Sequence, residues 1–89
     1  MFHYDFTPRG VCSRAIHLDI SDDGSTIENV SFDGGCNGNL CAIGKLVKGK
    51  SVDEIVGLLA GNKCGPRPTS CADQMTIALR QAQSSVRNR

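Results

Sequence analysis

The hydrophobic period of this chain changes once, near residue 36, and that change restricts the fold more than any other feature. Ahead of it apolar and polar residues alternate, as in strands with one buried face. Behind it apolar residues recur every three or four positions, as on one face of a helix. Phe2, Tyr4 and Phe6 predict a short strand ended by Pro8. "CSRAIHLDIS" predicts a second strand, with Cys12, Ile16, Leu18 and Ile20 on its apolar face and Arg14 interrupting it. "DDGS", residues 22–25, supplies a turn in which Gly24 can take positive φ. "TIENVSF" predicts a third strand with Val30 and Phe32 on one face.

Three helices are expected after these strands. From about Asn37, Leu40, Ile43, Leu46 and Val47 recur at helical spacing, and Gly49 ends that run. Ser51 caps the next helix, with Glu54 three residues on and a stripe of Val52, Ile55, Val56 and Leu59 stopped by Gly61. After the rigid "CGPRP" loop, Ser70 caps a third helix whose stripe is Met75, Ala78, Leu79 and Ala82. Residues 83–89 read as a frayed, basic tail. The expected fold class is α+β: one domain over residues 1–89, a small three-stranded antiparallel sheet followed by three helices packed on one face.

"GKLVKGKS", residues 44–51, matches the phosphate-loop pattern literally, with Gly44, Gly49, Lys50 and Ser51 in place. Its context does not fit. A phosphate loop follows a buried strand and is flexible between its glycines, whereas these residues form the last turn of an amphipathic helix. Gly49 suits a helix C′ position and Ser51 the next N-cap, so the match does not support nucleotide binding.

A net charge of +1 gives no electrostatic case for nucleic acid or an acidic membrane surface. No apolar run approaches the roughly 18 residues of a membrane span, and no secretory leader pattern is seen, so a cytoplasmic location is expected. His3 and His17 read as surface histidines, and Asp19, Asp22, Asp23 and Asp33 as solvent-facing carboxylates. No residues suggest a Ser/His/Asp triad or a glycosidase carboxylate pair.

With no Trp, one Tyr and three Phe, the core is modest, and chains this small often add a staple. Five cysteines point to one. In a reducing compartment clustered cysteines mean metal or redox chemistry more often than disulfides, and the odd count argues against full pairing. No pair has C-x-x-C spacing. Placement is more telling. Cys12 and Cys36 are in phase with apolar strand faces, Cys36 and Cys71 fall at expected helix N-termini, and Cys64 lies in the loop leading to Cys71. Cys12, Cys36, Cys64 and Cys71 can thus converge at one end of the sheet, where four thiolates would suit tetrahedral zinc or an iron–sulfur cluster. Cys41 is five residues after Cys36, about 140° round a helix, and is read as outside the site. The plain alternative is that the cysteines pack as small apolar side chains.

"GVCSRAI", "FDGGCNGNL" and above all "CGPRPTSCADQ" resemble the TSCPD domain family, named for its Thr-Ser-Cys-Pro-Asp motif. Thr69, Ser70, Cys71 and Asp73 match that motif, and Ala72 stands in place of its proline. That family occurs as the C-terminal domain of adenosylcobalamin-dependent ribonucleotide reductases and as short stand-alone proteins. The resemblance implies motif cysteines at Cys12, Cys36, Cys64 and Cys71 and a metal-binding role, with zinc as the first expectation and an iron–sulfur cluster as the second. It implies a link to deoxyribonucleotide synthesis, with a ribonucleotide reductase or another redox protein as partner, or a second copy of the chain. The chain is too short to hold the reductase barrel, so the implied relation is to a domain of that enzyme. The layout also resembles iron–sulfur cluster scaffold proteins, in which "KGKSVDE" is similar to a helix joint. A thiol–disulfide relay using Cys64 and Cys71, and an iron–sulfur assembly or carrier protein, are the competing expectations.

Overall fold

The structure is a computed structural model and describes residues 1–35, 37–63, 65–66 and 69–88. Its elements run β1 (Phe2–Phe6), β2 (Ser13–Ile20), β3 (Ile27–Gly34), α1 (Asn37–Val47), α2 (Val52–Leu59) and α3 (Cys71–Arg87). The sheet is antiparallel in the order β1-β2-β3, so the expected α+β arrangement of three strands followed by three helices is what the chain adopts.

The alternation decides which face is covered. Phe2, Tyr4 and Phe6 pair with Ile20, Leu18 and Ile16, and Leu18 and Ile16 pair onward with Val30 and Phe32. One face of the sheet is therefore apolar across all three strands. α1 packs over β3, α3 crosses β1 and β2, and α2 packs against α3. Ile16, Leu18, Ile20, Ile27, Val52, Met75 and Leu79 are almost fully buried between these layers.

Two irregularities in the β2–β3 pairing alter the expected phase. One lies between Asp19 and Ile20, opposite the segment where Ile27 and Val30 both turn inward. The other lies between Ser13 and Ala15. There Arg14 is the extra residue, so Ser13 is buried and Arg14 is exposed, its side chain lying against Gly34. Cys12, expected on the apolar face, precedes the strand and is exposed.

The helices differ from expectation at two places. Leu46 is 71% exposed, because α1 meets β3 along Leu40, Ile43, Gly44 and Val47 and Leu46 falls to one side. The expected frayed tail is helical through Arg87, with Gln83 and Val86 buried. The cause is the β2–β3 turn. Asp23 accepts from both Ser21 and Ser25 hydroxyls, which hold its carboxyl down to about 2. The ordered turn then offers Gly24 O to Gln83 Nε2 at 2.9 Å and Asp23 O to Arg87 Nε at 3.2 Å.

The 44–51 segment joins two helices, as expected. Gly44 lies within α1, and a Cβ there would meet Val30 O at 2.6 Å, so α1 approaches β3 as closely as a glycine allows. Gly49 has φ +82° and donates to Ile27 O, Lys50 N donates to Val47 O, and Val52 N donates to Ser25 O. Amides that a phosphate loop would turn toward its ligand are thus engaged with the protein. Ser51 Oγ caps α2 by accepting from Glu54 N.

Gly44→Ala should therefore destabilise the fold by about 1–2 kcal/mol net, overpacking against a backbone oxygen outweighing the gain in helix propensity. Gly57→Ala, in α2 with open space around it, should stabilise by about 0.5–1 kcal/mol. Urea denaturation of both variants checks the pair.

Candidate functional site

The start of β2, the end of β3 and the start of α3 meet at one end of the sheet. Ser13 pairs with Gly34, and Ser13 Oγ lies 3.2 Å from Cys71 Sγ in a hydrogen bond. Cys71 is half-buried in the first turn of α3. Gly35 has φ +78°, and a Cβ there would fall 3.2 Å from Cys12 Sγ and 2.9 Å from Leu40 Cδ1. The backbone at Gly35 therefore runs directly against the Cys12 side chain. Cys71 is thus in contact with Ser13, the residue that follows Cys12 in the chain. Cys36 and Cys64 lie outside the described residues. Cys41 is exposed on α1, in a groove it shares with Asn29, Lys45 and Lys48.

The residues around Cys71 show what the Thr-Ser-Cys-x-Asp stretch does locally. Ser70 is the N-cap of α3; its Oγ accepts from Asp73 N and donates to Asn62 O. Asp73 accepts from Gly61 N at 2.7 Å and from the Thr69 hydroxyl. Thr69 also accepts from Gln74 Nε2, and Gln74 Oε1 in turn accepts from Arg9 N at 3.1 Å. One polar network thus ties the end of α2, the loop before Cys12 and the first turn of α3. Thr69, Ser70 and Asp73 are spent on this clasp, while Cys71 points away from it toward Ser13. Ala72 is buried at the second position of the helix, so the capped start forms without a proline.

A second group of chemically capable residues lies on the open face of the sheet. His3 Nδ1 donates to Asp19 Oδ1 and His3 Nε2 to Asp5 Oδ1, both at 2.7 Å. His17 Nδ1 donates to the same Asp5 Oδ1 at 2.7 Å, and His17 Nε2 to Asp33 Oδ2 at 2.8 Å. Carboxylates only accept, so this geometry uses both imidazole nitrogens of each ring as donors, the imidazolium form. The pKa of His3 is raised, chiefly by the hydrogen bond to Asp19, and that of His17 chiefly by the bond to Asp33. Asp5 is lowered, chiefly by the bond from His17. The two rings stack with centroids 6.4 Å apart.

Both histidines are on the polar face, as the alternation predicts, but sequence reading took them singly. The available signal was a repeated H-x-D, "HYD" at 3–5 and "HLD" at 17–19. In an antiparallel pair whose register sets His3 opposite Asp19 and Asp5 opposite His17, each histidine faces the other strand's aspartate.

A small antiparallel sheet covered by helices, with two thiol-bearing segments clasped at one end, defines a compact cysteine-bearing α+β module. The model of the TSCPD domain matches residues 2–83 of the 89, and the chain belongs to the TSCPD domain family. Comparison with curated proteins and with solved structures finds no match. The likeness to iron–sulfur scaffolds therefore stands on sequence pattern alone. Among the described residues, no helix is long and apolar enough to cross a membrane.

Ser70→Ala should cost about 1 kcal/mol, within the usual range for a lost N-cap, in thermal or urea unfolding. By NMR titration both histidines should show midpoints above 6.5, and Asp5→Asn should bring both down. The histidine contribution to stability is present below 6.5 and is lost as pH rises through the raised values. The Asp5 contribution is present above 3.8 and is lost as pH falls through its lowered value. In metal-free protein the ladder should thus be intact between pH 3.8 and 6.5.

Proposed function

We propose that this chain is a small metal-binding module, with Cys12, Cys36, Cys64 and Cys71 as ligands and zinc as the ion. Membership of the TSCPD domain family supports this reading, since the resemblance implies motif cysteines at these four positions. The observation that carries it is the clasp. Thr69, Ser70, Asp73 and Gln74 bond one another and hold the Cys71 helix start in place, with Ser13 Oγ, on the strand that follows Cys12, 3.2 Å from Cys71 Sγ. The donor set fits: thiolates are soft ligands, suited to tetrahedral zinc and to iron–sulfur clusters alike. Zinc is favoured because a closed four-thiolate site needs no redox partner and would staple a domain whose core is modest. The role is that of a domain related to the C-terminal part of ribonucleoside-diphosphate reductases, working in the cytoplasm with a reductase subunit or another redox protein. The chemistry of reduction belongs to the partner; this module supplies a stapled surface.

Metal content per chain, measured by elemental analysis on protein purified without oxygen, tests the proposal. Wild type should retain about one tightly held zinc, and Cys36→Ser and Cys71→Ser should each lose it. One iron cluster with a brown colour would move the ion to iron–sulfur. Metal-free protein whose thiols all titrate, and whose stability is unchanged by either substitution, would sink the reading in favour of plain packing. A reversible disulfide near thioredoxin's potential of about −270 mV would favour a redox relay.

A further inference from the structure

The open face of the sheet carries donors of a different kind from the thiols. His3, Asp5 and His17 each offer one donor atom, and the three atoms lie within 4.8 Å of one another. They come from two adjacent strands, and strand register holds them together: Asp5 is directly opposite His17, and His3 is two residues from Asp5 on the same face. Tetrahedral zinc with nitrogen and oxygen ligands needs donors roughly 3.3 Å apart. Asp5 Oδ1 is 2.7 Å from each aimed nitrogen, so those two separations would widen by about 0.6 Å to admit an ion, a change within reach of side-chain rotation on fixed strands.

The outward nitrogen of each ring is also committed. His3 Nδ1 donates to Asp19 and His17 Nε2 donates to Asp33. This is the carboxylate–histidine arrangement that orients imidazoles bound to a metal: one nitrogen is fixed by a carboxylate and the other is aimed at the ion. Both aimed nitrogens converge on one oxygen, Asp5 Oδ1.

Charge points the same way. Three carboxylates and two imidazolium rings sum to −1. Replacing one proton on each ring by a single divalent ion leaves that sum unchanged. Hydrogen-bonded protons can therefore be exchanged for an ion without leaving net charge uncompensated. His3 and Asp5 are exposed and His17 is a third exposed, so an ion there would keep solvent on its free side.

We propose that His3, Asp5 and His17 form a binding site for a divalent metal ion such as zinc on the open face of the sheet, with Asp19 and Asp33 as positioning residues. The site is independent of the cysteine site and does not need it. Three protein ligands leave a coordination position open to water or to a carboxylate or phosphate oxygen, as in sites that bind or activate small molecules rather than in structural ones.

The test uses the full chain, stripped with a chelator and titrated with Zn2+ while the histidine ring resonances are followed by NMR. Wild type and Cys71→Ser should behave alike: both histidine rings shift together and saturate at one ion for this site. His17→Ala should weaken that binding by about 100-fold or more, and Asp19→Asn or Asp33→Asn by roughly 10–100-fold. Asp5→Asn gives a second ligand variant should His17→Ala lower stability. Co2+ at the site should show d–d absorption that survives Cys71→Ser, without a thiolate charge-transfer band. Rings unmoved by Zn2+ up to millimolar concentration would overturn the proposal. So would binding undiminished in both His17→Ala and Asp5→Asn, or binding abolished by Cys71→Ser alone.

Discussion

The central strand β2 joins the sheet, the core and the open face. It pairs on both sides, sends Ile16, Leu18 and Ile20 into the core, and presents His17 and Asp19 on the open face. A two-residue period enforces this division, and a slip of one residue would exchange the faces. Core and surface therefore fix the register together. The register in which the apolar side chains meet the helices also sets His3 opposite Asp19 and Asp5 opposite His17.

At its first residues β2 departs from that period, and the cysteine end is built on the departure. The irregularity between Ser13 and Ala15 puts Arg14 out of phase, turns Ser13 inward to Cys71 and leaves Cys12 beside Gly35. A regular strand would have buried Cys12 among aliphatic side chains. The polar network of Thr69, Ser70, Asp73 and Gln74 then fixes the other side. Its members satisfy one another, including the capped amide of Asp73, so the helix start is held by local bonds.

Much of this was legible in the sequence for physical reasons. The elements follow from hydrophobic period, and the N-caps Ser51 and Ser70 from side-chain chemistry that acts within three residues. What was missed depends on contacts far apart in the chain. Phase alone could not show that Cys12 lies outside the apolar face, because the irregularity exists only in the pairing with β3. The last turn of α3 looks like a polar tail until the turn at 21–25 presents carbonyls to Gln83 and Arg87. Leu46 fits the helical stripe, yet α1 lies on an edge strand and uses only a narrow face. The His–Asp ladder needs strand register, although the doubled H-x-D was present to be read.

The two proposed groups of ligands differ in a way that would let them coexist. Soft thiolates would select zinc or iron–sulfur chemistry, while imidazole and carboxylate on the open face would favour borderline divalent ions. They also differ in what they ask of the fold. The proposed thiol site draws on a clasp of buried and half-buried polar groups. The ligands of the proposed face site are set by the pairing of two adjacent strands, β1 and β2, with Asp33 of β3 positioning His17. A change that loosens the loops at the cysteine end would therefore leave the ladder in place, whereas a slip in β1–β2 pairing would remove the ladder and the core together. The face site is in that sense as robust as the fold itself.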